Sequence, residues 1–502
     1  MADTKREIER KYESDDSGLP DLTGVAGVAA VIDKGVARLD AIYYDTADER
    51  LAASSVTLRR RTGGSDAGWH LKFPVAPGVR DEIQAPLSDT LPRSLAGLVR
   101  SRVRGAELVP VVRLRSDRDV RDLVDADGRL LAEVSVDAVR AERLSGGSRT
   151  AQWTEIEVEL ADGGDPAFLD RVEKRLRKAG VRPSSSASKL QRALTETTPK
   201  KKRGKKARAP EEPVTAGDHV VAHIRAQRDE IVELDPAVRR DVHDSVHRMR
   251  VATRRIRSAF MSYAKVLDRT VTEPIGEELK WLAGELGIDR DQEVLTERLT
   301  AALDELPRTL LYGPVRTRLR TWSHARSEGS RRRLIGVLDS RRYERLLETL
   351  DALVADPPLL KAAGGEPGTV IGKAVRKDFA RVSGLLEQAL ALPPGGDRDL
   401  ALHEARKKAK RTRYSAESAI PALGDPAAVL VRSMKRLQNL LGDHQDSVMT
   451  REALRELARQ AHAAGESSFT YGLLYAREEQ RAAADEAALP GVWAETRAAV
   501  GI

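Results

Sequence analysis

Glu155, Glu157 and Glu159 alternate with Ile156, Val158 and Leu160, and Glu7 and Glu9 flank Ile8 with Lys11 two positions on. Residues two apart in a strand share a face, so each run offers a row of charged side chains backed by apolar ones. Carboxylate rows of this kind hold hard divalent cations through oxygen. Other runs carry the opposite sign. Arg59 and Arg61 share a face in Leu58-Arg59-Arg60-Arg61, and His70 and Lys72 share one in Trp69-His70-Leu71-Lys72-Phe73. Arginine and lysine bind phosphate oxygens, arginine often through two parallel hydrogen bonds. Glu133, Ser135 and Asp137 make a further row. Any one polar face would be satisfied by solvent alone. Acid-rich and base-rich faces lining one interior would instead form a site for a polyphosphate and its metal.

A different pattern occupies the second half of the chain. In His247-Arg248-Met249-Arg250-Val251-Ala252-Thr253-Arg254-Arg255-Ile256-Arg257 and His403-Glu404-Ala405-Arg406-Lys407-Lys408-Ala409-Lys410-Arg411-Thr412-Arg413, cations stand 3, 7 and 10 residues after the histidine in both copies. On a helix these positions and the histidine fall within about 80° of arc, so each segment carries one basic stripe. The repetition continues in Leu286-Gly287-Ile288-Asp289-Arg290-Asp291 and Leu441-Gly442-Asp443-His444-Gln445-Asp446, 39 and 38 residues after the respective histidines. This spacing predicts two like helical halves whose stripes face each other across a cationic groove. The alternative is a pair of solvated faces screened by neighbouring acids. His247 and His403 are open to two roles, capping or anion contact. Asp291 and Asp446 are expected to orient the cations or cap a helix, and Arg290 has Gln445 as its counterpart.

The elements that must carry these residues follow from the same text. Before residue 196 short alternating runs dominate, separated by turns such as Asp127-Gly128 and Gly146-Gly147. This is the signature of antiparallel strands. Helices are expected near Pro92–Val99 and over Pro166–Ala179. After residue 216, long Ala/Leu/Arg/Glu-rich stretches broken by Pro and Gly predict helices. Between them Lys200, Lys201, Lys202, Arg203, Lys205, Lys206 and Arg208 precede Pro210 and Pro213. No core forms from such a run, which reads as a solvated linker or an accessory polyanion contact. The expected organisation is a β domain over 1–195, a basic linker over 196–216 and an all-α domain over 217–495.

Composition sets limits. The 502 residues carry 85 Lys and Arg against 77 Asp and Glu, a net charge of +8. With no cysteine, thiol catalysis, disulfides and Cys-ligated zinc are excluded. Five Phe, five Trp and nine Tyr provide few platforms for stacking bases, and no nucleic-acid module is recognisable, so a nucleic-acid partner is not expected. The amino-terminal segment MADTKREIERKYES lacks an apolar signal core and no run approaches a membrane span, so a cytoplasmic location without membrane contact is expected.

The run Glu7-Ile8-Glu9-Arg10-Lys11 resembles the ExExK signature of the CYTH superfamily, the triphosphate tunnel metalloenzymes. Tyr43-Tyr44-Asp45-Thr46, Leu58 to Arg61, Leu71-Lys72, Glu155 to Glu159 and Ser188-Lys189-Leu190 follow in that family's order. The resemblance implies an antiparallel β-barrel tunnel, a triphosphate substrate and Mg2+ or Mn2+. It assigns Glu7, Glu9, Glu157 and Glu159 to metal, with Asp137 and Glu155 as further candidates because parity does not choose among acids on one face. Lys11, Arg59, Arg61, Lys72 and Lys189 would hold phosphate, with Arg80, Arg115 and Arg118 as additions. His70 is either a wall residue or a ligand contact, and Glu82 either structural or part of the site. The segment Val246 to Arg257, supported by His403 to Tyr414, is similar to the CHAD (conserved histidine α-helical) domain. That resemblance implies binding of inorganic polyphosphate, association with polyphosphate granules, and contacts from His247, Arg250, Arg254, Arg257, His403, Arg406, Lys407, Lys410 and Arg413. The expected function is a metal-dependent inorganic triphosphatase, or hydrolase of a related organic triphosphate, tethered to polyphosphate. A non-catalytic polyphosphate-binding protein and an adenylyl cyclase are the alternatives.

Overall fold

The computed structural model describes residues 4–14, 18–147, 149–198, 212–327 and 329–500. The chain divides into two compact units, Met1–Ala209 and Pro210–Ile502. The predicted linker overlaps the end of one helix (Lys189–Thr197) and the start of the next (Ala216–Arg239). Its run of cations lies outside the described residues.

In the first unit, strands β1 (Thr4–Ser14), β2 (Ala30–Asp45), β3 (Thr57–Thr62), β4 (Gly68–Ala76), β5 (Val79–Pro86), β6 (Val109–Val124), β7 (Leu130–Arg143) and β8 (Thr150–Leu160) pair in the order β5-β4-β3-β2-β6-β7-β8-β1. Pairing of β5 with β1 closes the sheet into a ring of eight antiparallel strands. A two-residue strand, β9 (Arg182–Pro183), adds to β1. The turn at Asp127-Gly128 joins β6 to β7, with Gly128 at φ +79°, a left-handed conformation that glycine adopts without a Cβ penalty.

Alternation sends the two faces of each strand into opposite environments. Ile156 and Val158 turn outward and are covered by Phe168, Leu169, Val172 and Leu176 of α3 (Ala167–Lys178). Leu58, Leu71 and Ile83 do the same beneath Leu95, Leu98 and Val99 of α2 (Arg93–Val103), which follows the short helix α1 (Arg50–Ala53). With the apolar rows spent on these external cores, the polar rows are left to face the ring interior. Helix α4 (Lys189–Thr197) starts at Ser188, whose hydroxyl accepts from the Gln191 N–H, and packs Leu190, Ala193 and Leu194 against Tyr43, Leu114, Ala141 and Trp153.

The second unit is all helical among its described residues. It holds α5 (Ala216–Arg239), α6 (Ser245–Ser262), α7 (Arg269–Glu285), α8 (Gly287–Asp304), α9 (Val315–Ser327), α10 (Ser330–Leu338), α11 (Arg341–Ala355), α12 (Pro367–Ala391), α13 (Gly396–Leu423), α14 (Asp425–Ala463) and α15 (Phe469–Val500). A capping box between Thr215 and Asp218 starts α5. The basic segments lie on α6 and α13, which pack against each other. The repeated Leu-Gly segments take different places in the two halves. Leu286 and Gly287 form the junction of α7 and α8, whereas Leu441 and Gly442 lie inside the unbroken 39 residues of α14. That helix reaches two cores, one through Leu430, Met434 and Leu437 and another through Leu454 and Leu457 with α8, α9 and α15.

Candidate active site and anion-binding cluster

Strand register assembles the ring's site. Lys11 pairs with Glu157, Glu7 with Arg80, Lys72 with Glu82, Tyr43 with Arg59, Arg118 with Asp137 and Asp137 with Glu155. Directly paired residues share a face, so these side chains all enter one enclosed space. Glu7, Glu9, Arg61, Arg80, Glu82, Asp137, Glu155, Glu157 and Lys189 are buried there.

Asp137, Glu155 and Glu157 bring carboxylate oxygens within 4.8 Å of one another. The first residue of α4 meets them: Lys189 Nζ lies 2.9 Å from Asp137, 2.8 Å from Glu155 and 2.6 Å from Glu157. Lys11 pairs with Glu157 and, at 3.2 Å, with Glu9. Arg118 donates to both Asp137 oxygens at 2.8 Å and to Glu157 at 2.7 Å. Burial opposes the Glu157 charge, but Lys11, Lys189 and Arg118 outweigh it and hold its carboxyl well below the usual range. Burial likewise opposes the Lys189 charge, and Asp137, Glu157 and Glu155 more than restore it. Three buried all-oxygen donors fit a hard divalent cation.

A second cluster is electropositive. Arg59 donates to the Tyr43 hydroxyl at 3.3 Å and lies 3.8 Å from Glu82, while the buried Nε atoms of Arg59 and Arg61 have no hydrogen-bond partner. Burial, with Arg59 and Arg118 nearby, lowers the Arg61 guanidinium to about 9, even though Arg61 also pairs with Asp66. Cations crowded out of water in this way are stabilised by an anion.

Between these clusters Lys72 donates to Glu7 at 2.5 Å and approaches Glu82 at 3.5 Å. Burial above all raises the Glu7 carboxyl to about 7, with Glu82 alongside adding to the shift. His70 is a wall residue in geometry: Nδ1 meets Glu82 at 2.8 Å, Nε2 meets the Asp66 carbonyl at 2.8 Å, and burial lowers it to about 4. Glu159 is at the edge of the cluster, paired with exposed Lys5 at 2.7 Å. Arg115 does not face the ring interior. It pairs with Asp40 at 3.7 Å on the outer face, its side chain 57% exposed. Residues 115 and 118 stand an odd number of positions apart on β6, so only one can point inward. Glu82, left open from sequence, and Glu133, read there as one of a polar row, both enter the interior, and Tyr43 joins it without having been assigned a role. The pairs Tyr43–Arg59 and Glu133–Glu159 become visible only once register is known.

In the helical unit, Arg250 and Arg254 of α6 and Arg406 and Lys410 of α13 converge. Burial, then Arg406, Arg254 and Arg250, lower the Lys410 ammonium to about 7, with Asp446 opposing. Asp446 itself lies 3.9 Å from Arg406. The two glycines of the repeat face the two arginines. A Cβ at Gly287 would come within 2.7 Å of the Arg250 guanidinium, and one at Gly442 within 3.9 Å of that of Arg406. The remaining stripe residues serve other contacts. Arg257 donates to the Gly276 carbonyl at 3.1 Å, and Arg413 donates to Gln438 at 3.0 Å and Glu417 at 2.8 Å. His403 Nδ1 meets Gln445 at 2.6 Å, and His247 is exposed. Lys407 points away from the cluster and pairs with Glu404 at 2.6 Å on the surface. The side chains of Arg290 and Asp291 lie outside the described residues.

Comparison with known proteins adds the family. A CYTH domain profile matches residues 5–194 and a CHAD domain profile residues 222–455. Two uncharacterized proteins of Mycobacterium tuberculosis, from strains CDC 1551 / Oshkosh and ATCC 25618 / H37Rv, are each 39% identical over 494 residues, covering 94% of this chain and 92% of theirs. Among solved structures, PptA from Streptomyces chartreusis is 20% identical with a TM-score of 0.47, covering 56% of this chain and 99% of that one. The CHAD domain from the plant Ricinus communis is 23% identical with a TM-score of 0.43, covering 59% and 95%. A putative adenylyl cyclase from Hippeastrum, described as having a dominant triphosphatase activity, is 17% identical with a TM-score of 0.25, covering 39% and 98%.

Proposed function

Because the chain belongs to the family of proteins that join a CYTH domain to a CHAD domain, we propose that its ring hydrolyses inorganic triphosphate or a related organic triphosphate, and that its helical unit binds inorganic polyphosphate. CYTH proteins include triphosphatases and cyclase-like enzymes and use divalent metals. The observation that carries the reading is the coexistence, inside one closed ring, of a three-carboxylate nest, to which Arg118 is bonded, and a buried Arg59–Arg61 pair.

Asp137, Glu155 and Glu157, with Glu7 and Glu9, would hold Mg2+ or Mn2+. Such an ion, when bound, supplies Lewis-acid polarisation of a phosphoryl oxygen and acidification of water. The chain's own cations do the rest. Arg59, Arg61, Arg118, Lys72 and Lys11 orient the phosphates and offset charge as the phosphoanhydride bond breaks. Lys189 is placed to exchange carboxylate partners for phosphate oxygens. Water is consumed, and phosphate and diphosphate leave from an inorganic substrate.

In the helical unit, the Arg250–Arg254–Arg406–Lys410 cluster is the proposed grip on polyphosphate. Tethering to a long chain would raise the local concentration of substrate released from it. Association with granules follows from that grip and is part of the same proposal. Among the described residues no helix is long and apolar enough to cross a membrane.

The test is a panel of tripolyphosphate, thiamine triphosphate, ATP and long-chain polyphosphate, each with Mg2+ and with Mn2+. The proposal expects phosphate release fastest from a triphosphate. Cyclic AMP from ATP would make the ring a cyclase, and binding without turnover would make the chain a scaffold.

A further inference from the structure

A second cluster of metal-ligating side chains stands in the helical unit, apart from the ring. Asp399 lies in the first turn of α13, His444 in the middle of α14 and Glu486 on α15. His444 is 3% exposed. Its Nε2 lies 3.3 Å from Asp399 Oδ1 and 3.3 Å from Glu486 Oε1, and the three residues offer ligand atoms all within 4.8 Å of one another.

A hydrogen-bonded triad explains this geometry poorly. A single Nε2–H must be shared between two carboxylates, and 3.3 Å is beyond the usual N–H···O range. Donor atoms on a tetrahedral ion with bonds of 2.0–2.2 Å stand about 3.3–3.6 Å apart. The outer oxygens are also accounted for. Arg398 meets Glu486 Oε2 at 3.2 Å and Arg451 lies 3.9 Å from Asp399 Oδ2. Each carboxylate thus turns one oxygen to an arginine and the other toward His444. Outer partners that fix carboxylate orientation are a regular part of metal sites.

We infer that Asp399, His444 and Glu486 bind a first-row divalent transition ion, Zn2+ being the best match to one imidazole and two carboxylates. In the repeat, His444 stands where the first half has Asp289. The site also pins the stretch of α14 that carries Gln445 and Asp446, the partners of His403 and Arg406.

The full-length protein, stripped with chelator and dialysed, is titrated with Zn2+ alone by calorimetry. Ring acids contribute equally to wild type and to variants in α13–α15, so the difference isolates this site. His444→Ala and Glu486→Gln are each expected to lose one equivalent of Zn2+, and Arg398→Ala to weaken that equivalent roughly 10- to 100-fold. Zn2+ should raise the melting temperature of wild type more than that of Glu486→Gln, which preserves side-chain size and guards against loss of fold. Phosphate release from tripolyphosphate should be unchanged in Glu486→Gln. Equal Zn2+ stoichiometry and affinity in wild type, His444→Ala and Glu486→Gln would overturn the site, whatever the ring proves to hydrolyse.

Discussion

Arg59 and Lys410 show how far one side chain can be made to depend on an anion. Arg59 has a buried Nε without a partner and shares its surroundings with Arg61. On the proposed function Arg59→Ala removes a phosphate contact, so turnover should fall about 10²–10³-fold, as for loss of one preorganised donor. A steady-state rate on tripolyphosphate checks this, and unchanged kcat would remove Arg59 from the site. Lys410 makes a pH prediction. Its folded-state value is near 7 against an ordinary 10.5, so the folded protein carries the neutral amine above about 7. Burial therefore costs stability most below about 7, and the cost fades as pH rises towards the unfolded value. Polyphosphate favours the ammonium form. Its affinity should fall as pH rises through about 7, with proton uptake on binding, and Lys410→Arg should flatten the profile. Calorimetry in buffers of different ionisation enthalpy measures both. Some of this was readable from residue types. The run Glu7 to Lys11 and the rows at Glu155 and Arg59 announce their chemistry through alternation alone. Arg115 and Lys407 were not separable from Arg118 and Lys410 in the same way, because counting cations in a run ignores which side of the strand or helix each leaves.

At the level of elements, α4 and the two glycines carry the most information. Leu190 is buried against the ring interior and fixes the helix that presents Lys189. Leu190→Ala should cost about 2–5 kcal/mol by cavity formation, measured by chemical denaturation, and should lower activity by loosening Lys189. The repeat glycines make an asymmetric prediction. Gly287→Ala would push the Arg250 guanidinium aside, whereas Gly442→Ala meets Arg406 only at ordinary contact distance. The first should weaken polyphosphate binding several-fold. The second should leave binding intact and stabilise α14 by up to about 1 kcal/mol, since alanine is the better helix former. Equal binding losses in the two variants would remove the seating role of Gly287. Strand and helix types were legible from period, as at β8 and α3. Helix α4 was not, because the nine residues that follow the Ser188 cap give few turns in which a 3.6-residue period can show. The Leu-Gly segments were legible as a repeat but not in their surroundings: Gly287 stands at a helix junction and makes room for Arg250, whereas Gly442 lies inside α14 with Arg406 at ordinary contact distance.

For the molecule as a whole, the charge balance of +8 conceals two different arrangements of cations. In the ring, acids and bases neutralise each other, as in the Lys189, Lys11 and Arg118 pairs with Glu157. In the helical unit, cations converge with Asp446 beside them. The second arrangement should respond strongly to salt, its polyphosphate affinity falling log-linearly as counterions compete. The inward turn of the polar rows could be inferred from sequence only as a collective pattern. What decides it physically is that α2 and α3 cover the apolar faces, and their packing is a tertiary fact. The most direct measurement is inorganic phosphate release from tripolyphosphate with Mn2+, comparing wild type with Glu157→Gln after circular dichroism has shown both to be folded. The account predicts turnover by the wild type and a loss of about a hundredfold or more in the variant; equal rates in the two proteins, or none in either, would contradict it.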